Sequence, residues 1–346
     1  LGSNQSPASY IKKITSDENE SSSLNLAINL IPKTLRKSKK ESLFFALVKL
    51  SENDIKNMDL ENLELGFNIV QKLDSKEDLL EVVDTAVNAL EQSPSSTNLS
   101  KRVEILNLKL DHLKESGANK ESIEKLQKTI VSPPRDSNTP NNLIDLSKYY
   151  NSSLFHYSAF HGGGQNQDIR FLYDKYNQKE NIPFDIRGII RLKSGPFNNW
   201  ESSNDHGGTK SIGKVYPSEV NGISIDSKAS KIHFLIGSVF STDMAKGKTA
   251  AKFIINFEDG STEEFPIIAK QDLFDWWTPH RSPGLMEQEL SPDKLGWVGE
   301  DFLGNARGFC KPFWENPKKE KIIKSINFVS GLIEASPFLI AITIEE

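Results

Sequence analysis

Lys252-Phe253-Ile254-Ile255-Asn256-Phe257-Glu258-Asp259-Gly260-Ser261-Thr262-Glu263-Glu264-Phe265-Pro266-Ile267-Ile268 is the stretch that decides the fold class. Two runs rich in β-branched and aromatic residues flank Asp259-Gly260, and an Asp-Gly pair supplies the positive-φ residue that a tight antiparallel turn needs. The stretch predicts a β-hairpin. Working outward, similar runs at 185–192, 222–225, 231–240, 321–329 and 338–344 are separated by Gly, Pro, Asn and Asp clusters. Short strands at this spacing predict an all-β jelly roll or β-sandwich over residues 143–346.

Toward the N-terminus the composition changes. Only four of the 31 aromatic residues (Tyr10, Phe44, Phe45, Phe67) precede residue 140, and all five tryptophans follow it. In the first half, apolar residues recur at spacings of three and four: Leu60, Leu63, Phe67, Val70; Leu79, Val83, Val87, Leu90; Leu99, Val103, Leu106, Leu110, Leu113; and Ile123, Leu126, Ile130. That is helical periodicity. Asp59, Ser75 and Asn98 are candidate N-caps, and Gly117 follows the last turn of one helix. The expectation is an all-α domain over 21–131, behind a disordered leader at 1–20. It is either a generic helical bundle or a tetratricopeptide-like repeat, since starts near Glu41, Lys76 and Asn119 recur every ~35–43 residues without that repeat's Trp, Gly-Tyr, Ala and Pro signature. Residues 132–142, with three prolines and no apolar anchor, read as a semi-extended linker.

Composition narrows the function classes. Forty-two basic against 47 acidic residues, net −5, leave no excess for tracking a phosphate backbone, so nucleic acid is not an expected partner. The longest apolar runs fall far short of the ~20 residues that span a bilayer, so no transmembrane segment is expected. A single cysteine, Cys310, rules out an intrachain disulfide and a thiolate zinc cluster and reads as a buried inert thiol. The start, Leu1-Gly2-Ser3-Asn4, reads as a processed or engineered end that says nothing of localisation.

The candidate chemistry lies between the hairpin and the last strands. Asp272, Asp275, Trp276, Trp277 and His280 are followed by Trp297, Asn305 and Arg307, then by Phe313-Trp314-Glu315-Asn316-Pro317. Loops at the end of a sandwich are where such folds bind ligands, and an exposed indole stacks on the C–H face of a sugar ring while Asp, Asn and Arg bond its hydroxyls. The eight residues from Asp272 to Arg307 are therefore the candidate ligand-binding set. The competing reading is that the tryptophans plug the end of the sandwich. No catalytic residue is assigned, although Asp272, Asp275, Glu287, Glu289, Glu300 and Asp301 are the carboxylates a glycosidase would draw on. His156 and His161, before Gly162-Gly163-Gly164, fit a loop better than a metal site. No cofactor is indicated, and a structural calcium would leave no readable spacing. Asp185 and Arg187 would share one face of a strand and form a cross-strand ion pair.

Residues 142–346 resemble the bacterial galactose-binding-domain-like jelly rolls, a fold group that includes many carbohydrate-binding modules. The resemblance is carried by Asp275-Trp276-Trp277, Phe313-Trp314-Glu315-Asn316-Pro317 and Lys324-Ser325-Ile326-Asn327-Phe328, with stretches at 144–150, 184–190, 216–223, 231–237, 257–261 and 265–268. It implies an accessory, non-catalytic role in an exported multi-domain bacterial protein, placed outside the cell, in the periplasm or at the cell surface. Its partner would be a glycan or cell-surface polysaccharide; the helical domain lies outside the resemblance and is expected to act as a spacer or to contact a protein partner. The resemblance transfers no residue role, because the binding loops of this group vary too much to be matched. The alternatives are a structural scaffold that mediates protein contacts and, behind it, a carbohydrate-active enzyme.

Overall fold

The computed structural model describes Asp84, Val87, Asn88, Leu90, Glu91 and residues 94–155, 169–175, 182–195, 216–241, 243–301 and 303–346. The expected leader, the candidate caps Asp59 and Ser75, the helical run at 60–70, His156, His161 and Gly162-Gly163-Gly164 lie outside the described residues. Chain contacts divide the molecule into two compact units, Leu1–Pro94 with Glu104–His112, and Ser95–Val103 with Leu113–Glu346.

In the first unit Val87, Leu90, Leu106 and Leu110 are buried, as their helical spacing predicts, and Lys109 pairs with Asp84. Two helices from the predicted all-α segment are described, α1 (Ser96–Glu115) and α2 (Lys120–Val131). The cap of α1 is not Asn98. Ser95 occupies that role, its Oγ accepting the Asn98 amide at 3.1 Å, because Ser96–Asn98 already have helical geometry. Gly117, at φ +73°, ends the helix, and Asn119 caps α2 by accepting the Ser122 amide at 2.9 Å. In the second unit, Arg102 donates to the Thr129 carbonyl at 3.0 Å, joining the start of α1 to the end of α2.

The rest of the second unit is antiparallel sheet. The strands are β1 (Ile190–Arg191), β2 (Glu219–Ser227), β3 (Lys231–Val239), β4 (Thr249–Phe257), β5 (Thr262–Ile268), β6 (Leu295–Glu300), β7 (Ala306–Cys310), β8 (Phe313–Glu315), β9 (Ile323–Ser330) and β10 (Ser336–Glu345). One sheet has the order β1-β10-β3-β7-β6, with β8 also on β3, and the other the order β2-β9-β4-β5. The two face each other as a β-sandwich. Ile232, Phe234 and Ile236 of β3 share one core with Phe253 and Ile255 of β4 and Ile326 and Phe328 of β9. Phe234 and Phe253 stack at 3.8 Å between ring centroids, and Phe328 lies 4.9 Å from Phe253. The predicted hairpin is β4–β5: Phe253 stands opposite Phe265, Gly260 has φ +81°, and the Asp259 carboxylate accepts the Ser261 amide at 2.9 Å.

Two further expectations are corrected. The run at 185–192 forms a strand only at Ile190–Arg191, and Asp185 and Arg187 lie in the irregular segment before it. They do pair, Nε to Oδ1 at 2.8 Å, but locally rather than across strands. Arg187 also reaches Asp145 (2.6 Å), Ser147 Oγ (2.8 Å) and the carbonyl of the buried Pro133 (3.2 Å), while Arg135 pairs with Asp185 at 3.1 Å. The second correction is the region 295–315, expected as loop, which supplies β6, β7 and β8. Gly296, Gly299 and Gly308 break the alternation that would have marked these strands.

The β-strands β3 and β10 are buried on both faces. Away from the sandwich core, the first sheet is covered by a second aromatic layer. Helix α3 (Phe171–Lys175) places Phe171 5.3 Å from Trp297 and 6.3 Å from Phe309, and Phe309 lies 6.4 Å from Phe338. This second layer is the setting of the candidate site.

Candidate functional site

The segment Phe274–Trp276 wedges between the end of β3 and β7. The two strands pair directly only at Ile236 and Cys310. Beyond that point Ser238 donates to the Phe274 carbonyl through both its amide (3.2 Å) and its Oγ (3.0 Å), Trp276 donates to the Ser238 carbonyl (3.1 Å), and Gly308 donates to the Trp276 carbonyl (3.0 Å). The Asp-Trp-Trp sequence thus continues the sheet where β7 diverges. Pro279 then starts the short helix α4 (Thr278–Arg281), followed by α5 (Leu285–Glu289). Both press on Gly308, where a Cβ would come within 2.5 Å of Met286 Sδ and 2.9 Å of Pro279 Cγ.

Chain direction alternates the two indoles. Trp276 is 1% exposed, Trp277 is half-buried, and their rings meet edge to face at 5.4 Å. Arg307 on β7 lies against both, its guanidinium carbon 3.5 Å from the Trp277 ring centroid and 5.1 Å from that of Trp276. The guanidinium is paired at 2.6 Å with Asp301, and the two side chains are 1% and 2% exposed. Asp301 also organises the β6–β7 turn, accepting the amides of Leu303 and Asn305 at 2.9 Å and the Asn305 side-chain amide at 3.2 Å. Burial lowers the Arg307 pKa from its ordinary value, and the charges of Asp301 and Asp275 oppose that shift. Asp275 accepts the Trp277 amide at 2.9 Å, and burial pushes its carboxyl above the usual carboxylate range. His280 is exposed and stands edge-on to Trp277 at 5.3 Å.

The structure therefore gathers Asp275, Trp276, Trp277, His280 and Arg307 into one corner, with Asn305 joined through Asp301. The other two candidates have different partners. Asp272 accepts the Ile268 amide (2.9 Å) and pairs with Lys294 (2.7 Å), fastening β5 to the turn before β6. Trp297, 8% exposed, belongs to β6 and packs on Phe171 and Phe309. The residue whose role sequence reasoning missed is Asp301, read only as one of several loop acids. Its signal was the spacing Asp301-x-x-Gly304-Asn305, a polar turn between two residues that the pleat then brings to one end of a hairpin.

Chemically, the corner offers one partly accessible indole held rigid by a buried cation, with an imidazole at its edge. Its acids are engaged: Asp301 with Arg307, Asp272 with Lys294, Asp275 with a backbone amide. Glu287, Glu289 and Glu300 are exposed. Cys310 is fully buried, and burial raises its thiol to about 12. Among the described residues no group of three or more His, Cys, Asp or Glu side chains is placed to hold a metal ion, and no helix is long and apolar enough to cross a membrane. No protein family, curated protein or solved structure matches the chain.

Proposed function

We propose that this chain is a non-catalytic, exported binding protein whose sandwich takes a glycan at the Trp277 corner. The observation that carries the reading is the half-buried Trp277 ring clamped by Arg307. An indole fixed in orientation loses little freedom when a sugar stacks on it, and His280 beside it can bond a hydroxyl. The engagement of Asp272, Asp275 and Asp301 within the fold favours binding over acid–base chemistry. The finer description of the fold as a jelly roll of the galactose-binding-like kind rests on strand order. Along the chain β1, β2, β3 and β4 alternate between the two sheets, and β8, β9 and β10 do so again, an interleaving typical of jelly rolls. The helical N-terminal part is assigned a spacer or protein-contact role.

A glycan array of the full chain tests this, with Trp277→Ala as control. The expected result is binding to short glycans that falls at least tenfold in the variant while its thermal midpoint stays within a few degrees. Absence of binding to any glycan overturns the reading.

A second reading, a scaffold that mediates protein contacts, is favoured by the burial of Trp276 and Trp297, which gives those indoles to the fold. Light scattering and cross-linking of the full chain, looking for stable self-association or partner capture independent of sugar, would identify it.

A further inference from the structure

The sequence contains one Asn-Gly pair, Asn221-Gly222, and the fold sets it in a β-bulge of β2. Val220 stands opposite Phe328 and Ile223 opposite Ile326, so Asn221 and Gly222 together face the single residue Asn327 of β9. Gly222 has φ +71°, and a Cβ there would meet nothing within 4 Å, so backbone conformation rather than space demands the glycine. Both residues of the pair are exposed.

An Asn-Gly pair carries its own reaction. The Gly222 backbone nitrogen attacks Cγ of Asn221, and the new N–Cγ bond closes a succinimide ring as the Cγ–Nδ2 bond breaks. The side-chain nitrogen leaves as ammonia, taking the proton that the backbone amide gives up. Water then opens the ring at either carbonyl, to aspartate or to isoaspartate, whose main chain runs through the side-chain carbon. Glycine sets no Cβ in the way of the attack. The Asp259-Gly260 turn is a poorer substrate, because its carboxylate is tied to Lys321 and to the Ser261 amide, and an ionised carboxylate is a weak electrophile.

Each group that the reaction needs is engaged in the fold. The Gly222 N–H donates to Asn327 Oδ1 at 2.9 Å, and that oxygen also accepts Asn256 Nδ2 at 3.4 Å. The Gly222 carbonyl accepts the Tyr149 hydroxyl at 2.6 Å, and the same hydroxyl accepts the Ser224 amide at 3.2 Å. Asn221 Nδ2 donates to Glu219 Oε1 at 2.9 Å. Attack therefore requires the Gly222 N–H to leave Asn327 and the chain beside it to turn against the Tyr149 contact. We infer that Asn221 is a deamidation site that Asn327 and Tyr149 hold closed in the native fold. Once the reaction occurs, the Asn221 donor becomes a carboxylate beside Glu219, a like-charge contact. An isoaspartate also adds a main-chain carbon to the bulge and displaces Gly222 from both of its partners. The modification thus removes its own restraint and loosens the outer edge of β2.

Peptide mapping by mass spectrometry of the full chain aged at pH 8, following the one-dalton gain and the isoaspartate share at Asn221, tests it. The same chain in guanidinium chloride is the unrestrained reference. The native rate should lie about tenfold or more below the denatured rate. Asn327→Ala, which removes the acceptor, and Tyr149→Phe, which removes only the hydroxyl, should each raise the native rate several-fold with the thermal midpoint within a few degrees. Asn151-Ser152 is the internal control, since the Asn151 side chain both donates to and accepts from the Arg191 backbone at 2.9 Å and reports general loosening. Its rate should stay unchanged in both variants. Equal rates at Asn221 in native and denatured chains, no reaction there even in denaturant, or wild-type rates in both variants overturns the inference. A parallel rise at Asn151 also overturns it, by assigning the effect to loosening of the whole unit. If Asn327→Ala does not fold, Tyr149→Phe decides alone.

Discussion

The guanidinium carbon of Arg307 lies 3.5 Å from the centroid of the Trp277 ring while its Nη2 lies 2.6 Å from the Asp301 carboxylate. One buried cation thus joins the Asp-Trp-Trp wedge, which replaces the missing β3–β7 pairing, to the turn that starts β7. Desolvating such a pair is costly, and the flat guanidinium offsets part of that by stacking and pairing at once.

Removing the cation alone should therefore be severe. Arg307→Ala leaves the Asp301 carboxylate buried without its partner, with an expected loss of about 3–5 kcal/mol in urea unfolding. Arg307→Lys keeps the charge but not the planar stack and should lose less. The double variant Arg307→Met/Asp301→Asn should lose clearly less than the two single losses added together, because no charge is then stranded. Strict additivity in that cycle would mean the pair is not coupled.

The two adjacent tryptophans should behave differently although they are neighbours in sequence. Trp276→Ala empties a fully buried site and should cost about 3–5 kcal/mol. Trp277→Ala removes a half-buried ring and its cation–π contact, a loss of about 1–2 kcal/mol. Urea denaturation of both variants measures the gap, and equal losses would mean that Trp277 is as much part of the core as Trp276.

The sheet strands that alternate cleanly were legible in the sequence. Lys252–Phe257 and Thr262–Ile268 put apolar residues on one face, and Asp259-Gly260 supplied the turn. The strands β6 and β7 were not, because each face of theirs meets a covering layer and glycines admit the close approach of Phe309 and Met286, so no two-residue period survives. For the site, residue type was informative and exposure was not. Asp-Trp-Trp suits a binding platform and a buried wedge equally well in one dimension, and what separates them is the position of Arg307 thirty residues later. The pairing of Asp272 with Lys294 was hidden for the same reason.

Acid sensitivity should arise at His233. Its ring is nearly buried on β3, Nε2 lies 2.7 Å from Glu345, and the surrounding groups are Phe313, Lys231 and Lys311. Burial lowers its pKa from the ordinary 6.5, with the Glu345 contact opposing that and the two lysines adding to it. The unfolded chain therefore binds this proton more readily than the folded one. The stabilising contribution is complete above pH 6.5 and is lost as pH falls below it toward the folded-state value. Thermal midpoints between pH 8 and pH 5 should fall on the acid side, and His233→Gln should flatten that limb. An unchanged slope in the variant would assign the acid limb to other groups.

Cys310 should be silent in the native protein. Its sulfur is fully buried and its thiol is held at about 12, so almost no thiolate exists at neutral pH. Iodoacetamide should leave the native chain unmodified over hours and label it within minutes in denaturant, read by intact mass. Rapid native labelling would show that the wedge beside β7 opens.

The segment that reads as a linker begins with a polar clamp. Pro133 is buried with its carbonyl on Arg187, and the same guanidinium holds Asp145, Ser147 and Asp185, the last also paired with Arg135. Arg187 and Asp185 are 5% and 8% exposed, so Arg187→Ala leaves the buried Asp185 carboxylate with Arg135 alone and releases the chain near Pro133 together. The expected outcome is a loss of about 3 kcal/mol or more, with proteolysis near residues 133–147 accelerated well beyond any change in global unfolding. Arg187→Lys, which keeps one charge but cannot fork to several partners, should fall between. Limited proteolysis with mass mapping, run where all three proteins are fully folded, decides the point: cleavage in this segment at the wild-type rate in Arg187→Ala would mean that the clamp does not hold it.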